Sequence, residues 1–130
     1  MTAVAPATLD RLKQVVGAKG WSTDPNTMAP HLTEWRDRWR GATPLLLRPG
    51  STDEVAGIVR ICAETRTPLV VQGGNTGLVG GQIPDGEVLV SMGRMDRIRA
   101  VDPVNNTLTA EAGCILQSVQ DAAAAAGRLF

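Results

Sequence analysis

The sequence predicts an α+β fold in which a strand–helix–strand crossover is followed by an antiparallel hairpin and flanked by helices. Apolar runs at 45–47 and 69–71 have the length of strands, and the segment between them carries apolar residues at helical spacing. Two alternating runs at 98–102 and 107–112 are separated by a turn, as in a hairpin, which we expect at the margin of the sheet. Strands joined through a helix are parallel, so we expect a right-handed crossover.

The first two helices are predicted from apolar spacing and from their end signals. Residues 6–16 begin at Pro6 and end before Gly17. The second helix begins at a capping box in which Ser51 accepts from the amide of Glu54 while Glu54 reaches back. Its apolar face is expected to hold Val55, Ile58, Val59 and Cys62.

The remaining segments complete the predicted fold. Residues 21–30 contain Pro and Asn and are expected to form a loop, whereas 88–91 form a third strand. A last helix covers about 115–126 and ends at Gly127. Its apolar side is expected to hold Ile115, Leu116, Val119, Ala122 and Ala126. Phe130 begins another apolar run typical of a strand.

Composition argues against several classes of protein. The chain has 130 residues, a formal net charge of zero and a pI near 6.6, which argues against a surface for nucleic acid or anionic membranes. No stretch reaches the ~18 apolar residues of a membrane span. The N-terminus lacks the basic start and apolar core of a signal peptide, so a cytoplasmic location is expected. Cys62 and Cys114 are interpreted as small buried hydrophobes.

Two other features have a functional and a structural interpretation. Residues 34–40 alternate Trp with Arg, a pattern that can stack on bases and pair with phosphates. Glu34 and Asp37 offset part of that charge, which favours an anchored amphipathic turn with a solvated Arg face. His31 is the only histidine and has no Cys or second His at ligand spacing, so we predict no metal site.

The most informative stretch runs from Gln72 to Gln82. Five glycines fall within the nine residues 73–81, directly after a predicted strand. Glycine lets a backbone approach another group closely, so such a loop can direct several N–H donors at one phosphate. The spacing matches neither the dinucleotide fingerprint nor the Walker loop, and a strand rather than a helix follows. The alternative is a flexible surface loop, which the flanking strands and the apolar Leu78 and Val79 disfavour.

Residues 71–81 also closely resemble the FAD pyrophosphate loop of the flavoproteins named after vanillyl-alcohol oxidase and p-cresol methylhydroxylase (PCMH-type). The likeness is greatest to the branch that holds D-lactate and D-2-hydroxyglutarate dehydrogenases and the D component of glycolate oxidase. Further motifs match in register at 39–41, 47–49, 51–55, 91–95 and 111–114. The resemblance implies the first subdomain of a PCMH-type FAD-binding domain. We assign 1–40 to an N-terminal helical and loop segment and 41–130 to that subdomain, truncated at its C-terminus.

The resemblance also implies which residues bind FAD. The backbone and side chains of the glycine stretch would hold the pyrophosphate and continue along the flavin, with one residue at the cofactor edge and two at a facing strand end. These residues are Pro49, Gln72, Gly73, Gly74, Asn75, Thr76, Gly77, Leu78, Gly80, Gly81, Ser91 and Met92. The glycines are assigned most firmly because a Cβ at a position of positive φ costs about 1–3 kcal/mol and obstructs the phosphate. Several relatives bind FAD covalently through a histidine where Asn75 stands, so non-covalent FAD is expected.

The implied reaction is oxidation of a D-2-hydroxy acid of the lactate, glycolate or 2-hydroxyglutarate type by hydride transfer to flavin N5. The base and any metal ligand of such enzymes lie later in the chain, so we name no catalytic residue and expect this fragment to be inactive alone. We also expect self-association through an uncovered subdomain seam. The alternatives are a module that binds a nucleotide diphosphate without catalysis, or a structural piece that needs a partner chain.

Overall fold

The computed structural model describes residues 3–130, and its elements follow the predicted order closely. In chain order they are α1 (Pro6–Val16), β1 (Trp21–Ser22), α2 (Pro25–Met28), β2 (Leu46–Leu47), α3 (Thr52–Thr65), β3 (Leu69–Gln72), β4 (Val88–Ser91), β5 (Ile98–Asp102), β6 (Thr107–Ala110) and α4 (Leu116–Ala125). A 3₁₀ turn at Ala29–His31 follows α2. The α+β prediction is confirmed, although the run at Phe130 forms no strand.

Four strands form the main sheet, in the order β1-β2-β4-β3. Both β2 and β3 are parallel to β4, which lies between them. The crossover through α3 therefore passes over one strand instead of joining neighbours. Strand β1 pairs antiparallel with β2, which corrects the prediction of a loop over 21–30. Two residues are too few to show alternation, so the sequence carries no signal for this strand.

The hairpin of β5 and β6 is antiparallel as predicted, but it forms a separate two-stranded sheet. The expectation that it extends the margin of the main sheet is therefore wrong. Asn106, with φ of 53°, takes the left-handed conformation in its turn. Asn tolerates this region better than most residues, which explains why the turn signal was readable.

The main sheet is covered on both faces. One face packs against α1 and α3 through a buried cluster that consists of Leu12, Val16, Leu45, Leu47, Ile58, Ile61, Cys62, Val88, Val90, Met92 and Met95. The other face holds Met28, Leu46 and Leu89. Parallel strands buried on both faces read as continuous apolar runs, which is why 45–47 and 88–90 were recognisable. Helix α1 shares this core with the sheet. The division of the chain into segments 1–40 and 41–130 stays a prediction.

Helix α3 departs from its predicted face and cap. Val59 is half exposed, and Ile61 is buried in its place. Ser51 accepts from the Glu54 amide, but the Glu54 carboxylate accepts from the amide of Gly50, one residue earlier than the capping box requires. The amides of Gly50 and Glu54, at the start of the helix, therefore each have a side-chain acceptor.

Helix α4 buries a narrower stripe than its sequence suggests. Val119 and Ala123 are buried, whereas Ile115 and Leu116 are largely exposed, which corrects the predicted apolar side. Cys114 is only half buried, unlike Cys62. Among residues 3–130, the helices are all too short or too polar to cross a membrane.

Candidate functional site

Three parallel strands end at one edge of the sheet, and the predicted site residues follow them. Gln72 ends β3 in register with Ser91 at the end of β4, and Leu47 of β2 is in register with Val90. Pro49 therefore comes after β2, Met92 after β4, and the glycine loop (residues 73–81) after β3, all at the carboxyl edge. Open α/β sheets place their ligands at this edge.

The site residues outside the glycine loop lie beneath the surface. Pro49 is less than 2% exposed, and Ser91 and Met92 are also buried. The amide of Met92 donates to the carbonyl of Gln72 at 2.8 Å, which joins the ends of β3 and β4. The direct contact of these three buried residues with a ligand stays a prediction.

The glycine loop leaves its backbone donors without internal partners. Among residues 3–130, the amides of 73–82 donate no hydrogen bond to another residue, whereas the amide of Ile83 donates to Gly80 at 3.0 Å. Most of the loop is exposed. Backbone N–H groups need an acceptor, so a run of unpaired amides is available to a ligand or to water.

The polar side chains of this region face inward instead. Gln72 is 1% exposed, and its side-chain NH₂ donates to the carbonyls of His31 and Gln82 at 3.0 and 3.1 Å. Gln82 donates to the Asn75 side chain at 3.2 Å and to the Gly77 carbonyl at 2.8 Å. We call the side chains of His31, Gln72, Asn75 and Gln82 the amide network. Gln72 and Asn75 are predicted to contact the cofactor. Their side chains instead form hydrogen bonds within the amide network.

Two loop glycines have internal reasons to lack a side chain. Gly80 has φ of 81°, and a Cβ there would lie 2.7 Å from the ring of Trp39. A Cβ on Gly77 would overlap the side-chain amide of Gln82. By contrast, a Cβ on Gly73 or Gly74 would meet only ordinary contacts at 3.6 and 3.8 Å.

The expectation that positive φ explains the loop glycines is therefore corrected for the other positions. In the loop only Asn75, at 55°, and Gly80 have positive φ. Gly73 and Gly74 adopt conformations open to any residue, and the fold leaves free space beside them. Backbone strain cannot explain glycine at these two positions, but close approach by a ligand can.

A turn at residues 34–40 packs against the glycine loop. Burial alone would raise the pKa of Glu34, but hydrogen bonds from the amides of Arg38 and Arg36 hold that pKa below its ordinary value. Arg36 donates to the Leu78 carbonyl at 3.2 Å, and Trp39 lies on Gly80. Trp35 is 70% exposed, so of the two tryptophans it is Trp39, itself half exposed, that packs on the loop.

Sequence reasoning missed three contributors to this site: His31, Trp39 and Gln82. His31 contacts Gln72 at the end of β3, whereas Trp39 and Gln82 contact glycines of the loop. His31 and Trp39 are each about forty positions from their partner in sequence. The only local signal was the pair of glutamines that bracket the glycines. Residues 72–83 contain no charged side chain, so the free amides set the local electrostatics and favour an anion.

Comparison with known proteins agrees with this geometry. Residues 43–130 match the family described as "FAD binding domain". The chain belongs to this FAD-binding family. FAD is thus its cofactor, and the PCMH-type resemblance of residues 71–81 is confirmed at the level of the family. The specific FAD contacts stay predictions.

The curated relatives are dehydrogenases. The chain is 43% identical over 108 residues to a probable mitochondrial D-2-hydroxyglutarate dehydrogenase of Oryza sativa subsp. indica, and this match covers 82% of the chain and 19% of the relative. It is 36% identical over 110 residues to a putative mitochondrial D-lactate dehydrogenase of Schizosaccharomyces pombe, with 84% and 21% covered. The chain thus spans about a fifth of the length of these relatives.

Solved structures support the fold. An alkyldihydroxyacetonephosphate synthase superposes with a TM-score of 0.81 at 21% identity, over 95% of this chain and 28% of that one. The 4-ethylphenol oxidase of Gulosibacter chungangensis gives 0.76 at 24% identity, over 93% and 24%. p-Cresol methylhydroxylase gives 0.74 at 18%, over 93% and 24%.

The expected cytoplasmic location is corrected by these comparisons. The rice, Arabidopsis thaliana and S. pombe relatives are all named mitochondrial proteins. Lack of a secretory signal excludes only one route out of the cytosol, so the inference from the N-terminus was too broad.

Proposed function

We propose that this chain holds the pyrophosphate of FAD, without a covalent bond, for an enzyme that oxidises a D-2-hydroxy acid. The observation that carries the proposal is the free space beside Gly73 and Gly74 together with the unpaired amides of the loop. This arrangement fits a diphosphate, which presents several acceptor oxygens and needs close approach by backbone donors. The residues present therefore suit the group.

The backbone amides of Gly73, Gly74, Thr76 and Gly77 are the donors we assign to the pyrophosphate. The hydroxyl of Thr76 is exposed and adds a side-chain donor. The Asn75 side chain is not among these donors, because its NH₂ already donates to the carbonyls of Pro30 and Thr33 at 3.1 and 2.9 Å. The side chain at 75 also cannot form the covalent flavin link of the histidine-bearing relatives.

The substrate class follows from the relatives, whose names specify D-2-hydroxyglutarate and D-lactate. FAD held by these residues would supply the hydride acceptor for oxidation of such an acid. This chain binds and orients the cofactor, and we infer that the base and the substrate carboxylate ligand belong to other parts of the enzyme. Alone, the chain is expected to bind FAD without turnover.

Substitution of Gly74 tests the proposal. Gly74→Ala and Gly74→Val should leave the melting temperature close to that of the parent, because a Cβ there meets only ordinary contacts. FAD affinity, measured by flavin fluorescence, should fall about tenfold for Ala and further for Val, since each adds bulk where the phosphate approaches.

A parallel titration with ADP separates the alternatives. Loss of affinity for FAD and ADP alike in the Gly74 variants places the diphosphate at the loop. Equal affinity in the parent and both variants would contradict the proposal. Binding of ADP but not FAD by the parent would favour the non-catalytic nucleotide-binding module.

A further inference from the structure

The side-chain donors of the amide network bond to carbonyl groups and leave the backbone amides of the glycine loop without a partner in this network. Three side-chain NH₂ groups, those of Gln72, Asn75 and Gln82, make six hydrogen bonds. Five of the six acceptors are backbone carbonyls, and these belong to Pro30, His31, Thr33, Gly77 and Gln82. The three NH₂ groups of the network therefore bond to backbone carbonyls, three of them in residues 30–33, and occupy no backbone amide.

His31 closes the network with a defined proton position. Its Nδ1 lies 2.6 Å from Oε1 of Gln72. Because both hydrogens of the Gln72 NH₂ are directed at carbonyls, Oε1 must be the acceptor, and Nδ1 of His31 must carry the hydrogen. The only histidine of the chain is thus a structural donor below the loop.

The direction of these bonds affects what the loop presents to solvent. Gln82 holds the carbonyl of Gly77, and a trans peptide directs the next N–H, that of Leu78, away from the Gln82 side chain. Gly77 must lack a Cβ because the Gln82 side chain occupies that position.

We propose that His31 and Gln82 are positioning residues for the cofactor, acting with the side chains of Gln72 and Asn75 to order the loop before FAD binds. The inference rests on the proposed function of the loop. A flexible glycine-rich segment would lose conformational entropy on binding, and this loss weakens affinity. The amide network instead orders the donors in the free protein.

The test compares Gln82→Met with the parent chain. Methionine keeps the length of the side chain and removes both donors. In ligand-free protein, ¹⁵N relaxation of residues 74–79 should give order parameters near ~0.85 for the parent and below ~0.6 for the variant. FAD affinity should fall roughly tenfold. Gln117→Met, at an exposed position of α4, is the matched control and should change neither quantity.

A second pair of variants separates two effects of a side chain at residue 77, which are disturbance of the amide network and contact with the ligand. Gly77→Ala should loosen the loop, because its methyl group meets the Gln82 amide. The double variant Gly77→Ala/Gln82→Ala should be no looser than Gln82→Ala alone, since no long side chain at residue 82 then meets the added methyl group. ¹⁵N chemical shifts should also show the neutral ring of His31 with its hydrogen on Nδ1.

The results can overturn the inference independently of the proposed function. A loop equally rigid in parent and Gln82→Met, or a neutral His31 with its hydrogen on Nε2, would contradict the bracing role. If the parent binds no FAD, the proposed function fails, while the relaxation data still decide whether the network orders the loop.

Discussion

Two buried polar clusters stabilise this chain by different chemistry. Glu111, whose side chain is 2% exposed, accepts hydrogen bonds from the guanidinium groups of Arg97 and Arg99 and from the amide of Arg97. The amide network uses uncharged amides, of which Gln72 is 1% exposed whereas Asn75 and Gln82 are partly buried. The ion cluster satisfies its own charges, whereas the amide network takes up carbonyls and leaves the backbone donors of the loop free. This difference supports the proposal that an anion binds at the glycine loop, beside the amide network.

The comparison is tested most strongly by removing the centre of the amide network. Gln72→Leu leaves the Nδ1–H of His31 and the carbonyls of His31 and Gln82 without their partners. Each buried unpaired group costs about 1–3 kcal/mol, so we expect a loss of about 3 kcal/mol in urea unfolding. Gln117→Leu, on exposed surface, should change the free energy of unfolding by less than about 0.5 kcal/mol. Similar small losses in both variants would contradict a structural role for the network.

The two clusters should also differ, by a smaller amount, in how their contribution to stability depends on pH. Hydrogen bonds from Arg97 lower the pKa of Glu111 to about 2, from an ordinary value of 4.5. Because the folded-state pKa is depressed, the stabilisation is fully present above pH 4.5 and is lost as the pH falls toward 2.

Melting temperatures measured across this pH range check the assignment. Glu111→Gln should melt below the parent at pH 7, and the gap should close as the pH falls toward 2. Gln72→Leu should remain destabilised by the same amount between pH 4.5 and 2, because the Gln72 side chain and the carbonyls that it contacts do not titrate. A pH-independent gap for Glu111→Gln would show that its carboxylate is not the titrating group.

The smallest expected effect concerns salt. Arg97 and Arg99 are 74% and 48% exposed, so the charges around Glu111 are open to screening. At 1 M NaCl the screening length is about 3 Å, and the parent should lose more stability than Glu111→Gln does. Gln72→Leu should respond to salt as the parent does, because the amide network that this substitution disrupts contains no ion pair.

The sequence predicted the elements whose signal is local. The capped start of α3 and the apolar runs of β2 and β4 are each determined by neighbours along the chain. The parallel ends of β2, β3 and β4, and hence the place of the glycine loop, followed from the crossover.

Features that depend on distant contacts were not readable. Strand β1 exists because β2 lies beside it, and Ile61 rather than Val59 is buried because of how α3 meets α1 and the sheet. The amide network joins His31 to Gln72 across 41 positions. Glutamine and asparagine occur in many surface loops, so nothing local marked these side chains as buried partners.

The role of the glycine loop is tested most directly by observing which amides respond to the cofactor. A titration of the ¹⁵N-labelled chain with FAD, followed by amide chemical shifts, should produce its largest changes at Gly73, Gly74, Thr76 and Gly77. Amides of the β5–β6 hairpin, whose ion cluster is closed, should remain unchanged. Large changes in the hairpin with an unresponsive glycine loop would contradict the central claim that the unpaired loop amides bind the pyrophosphate.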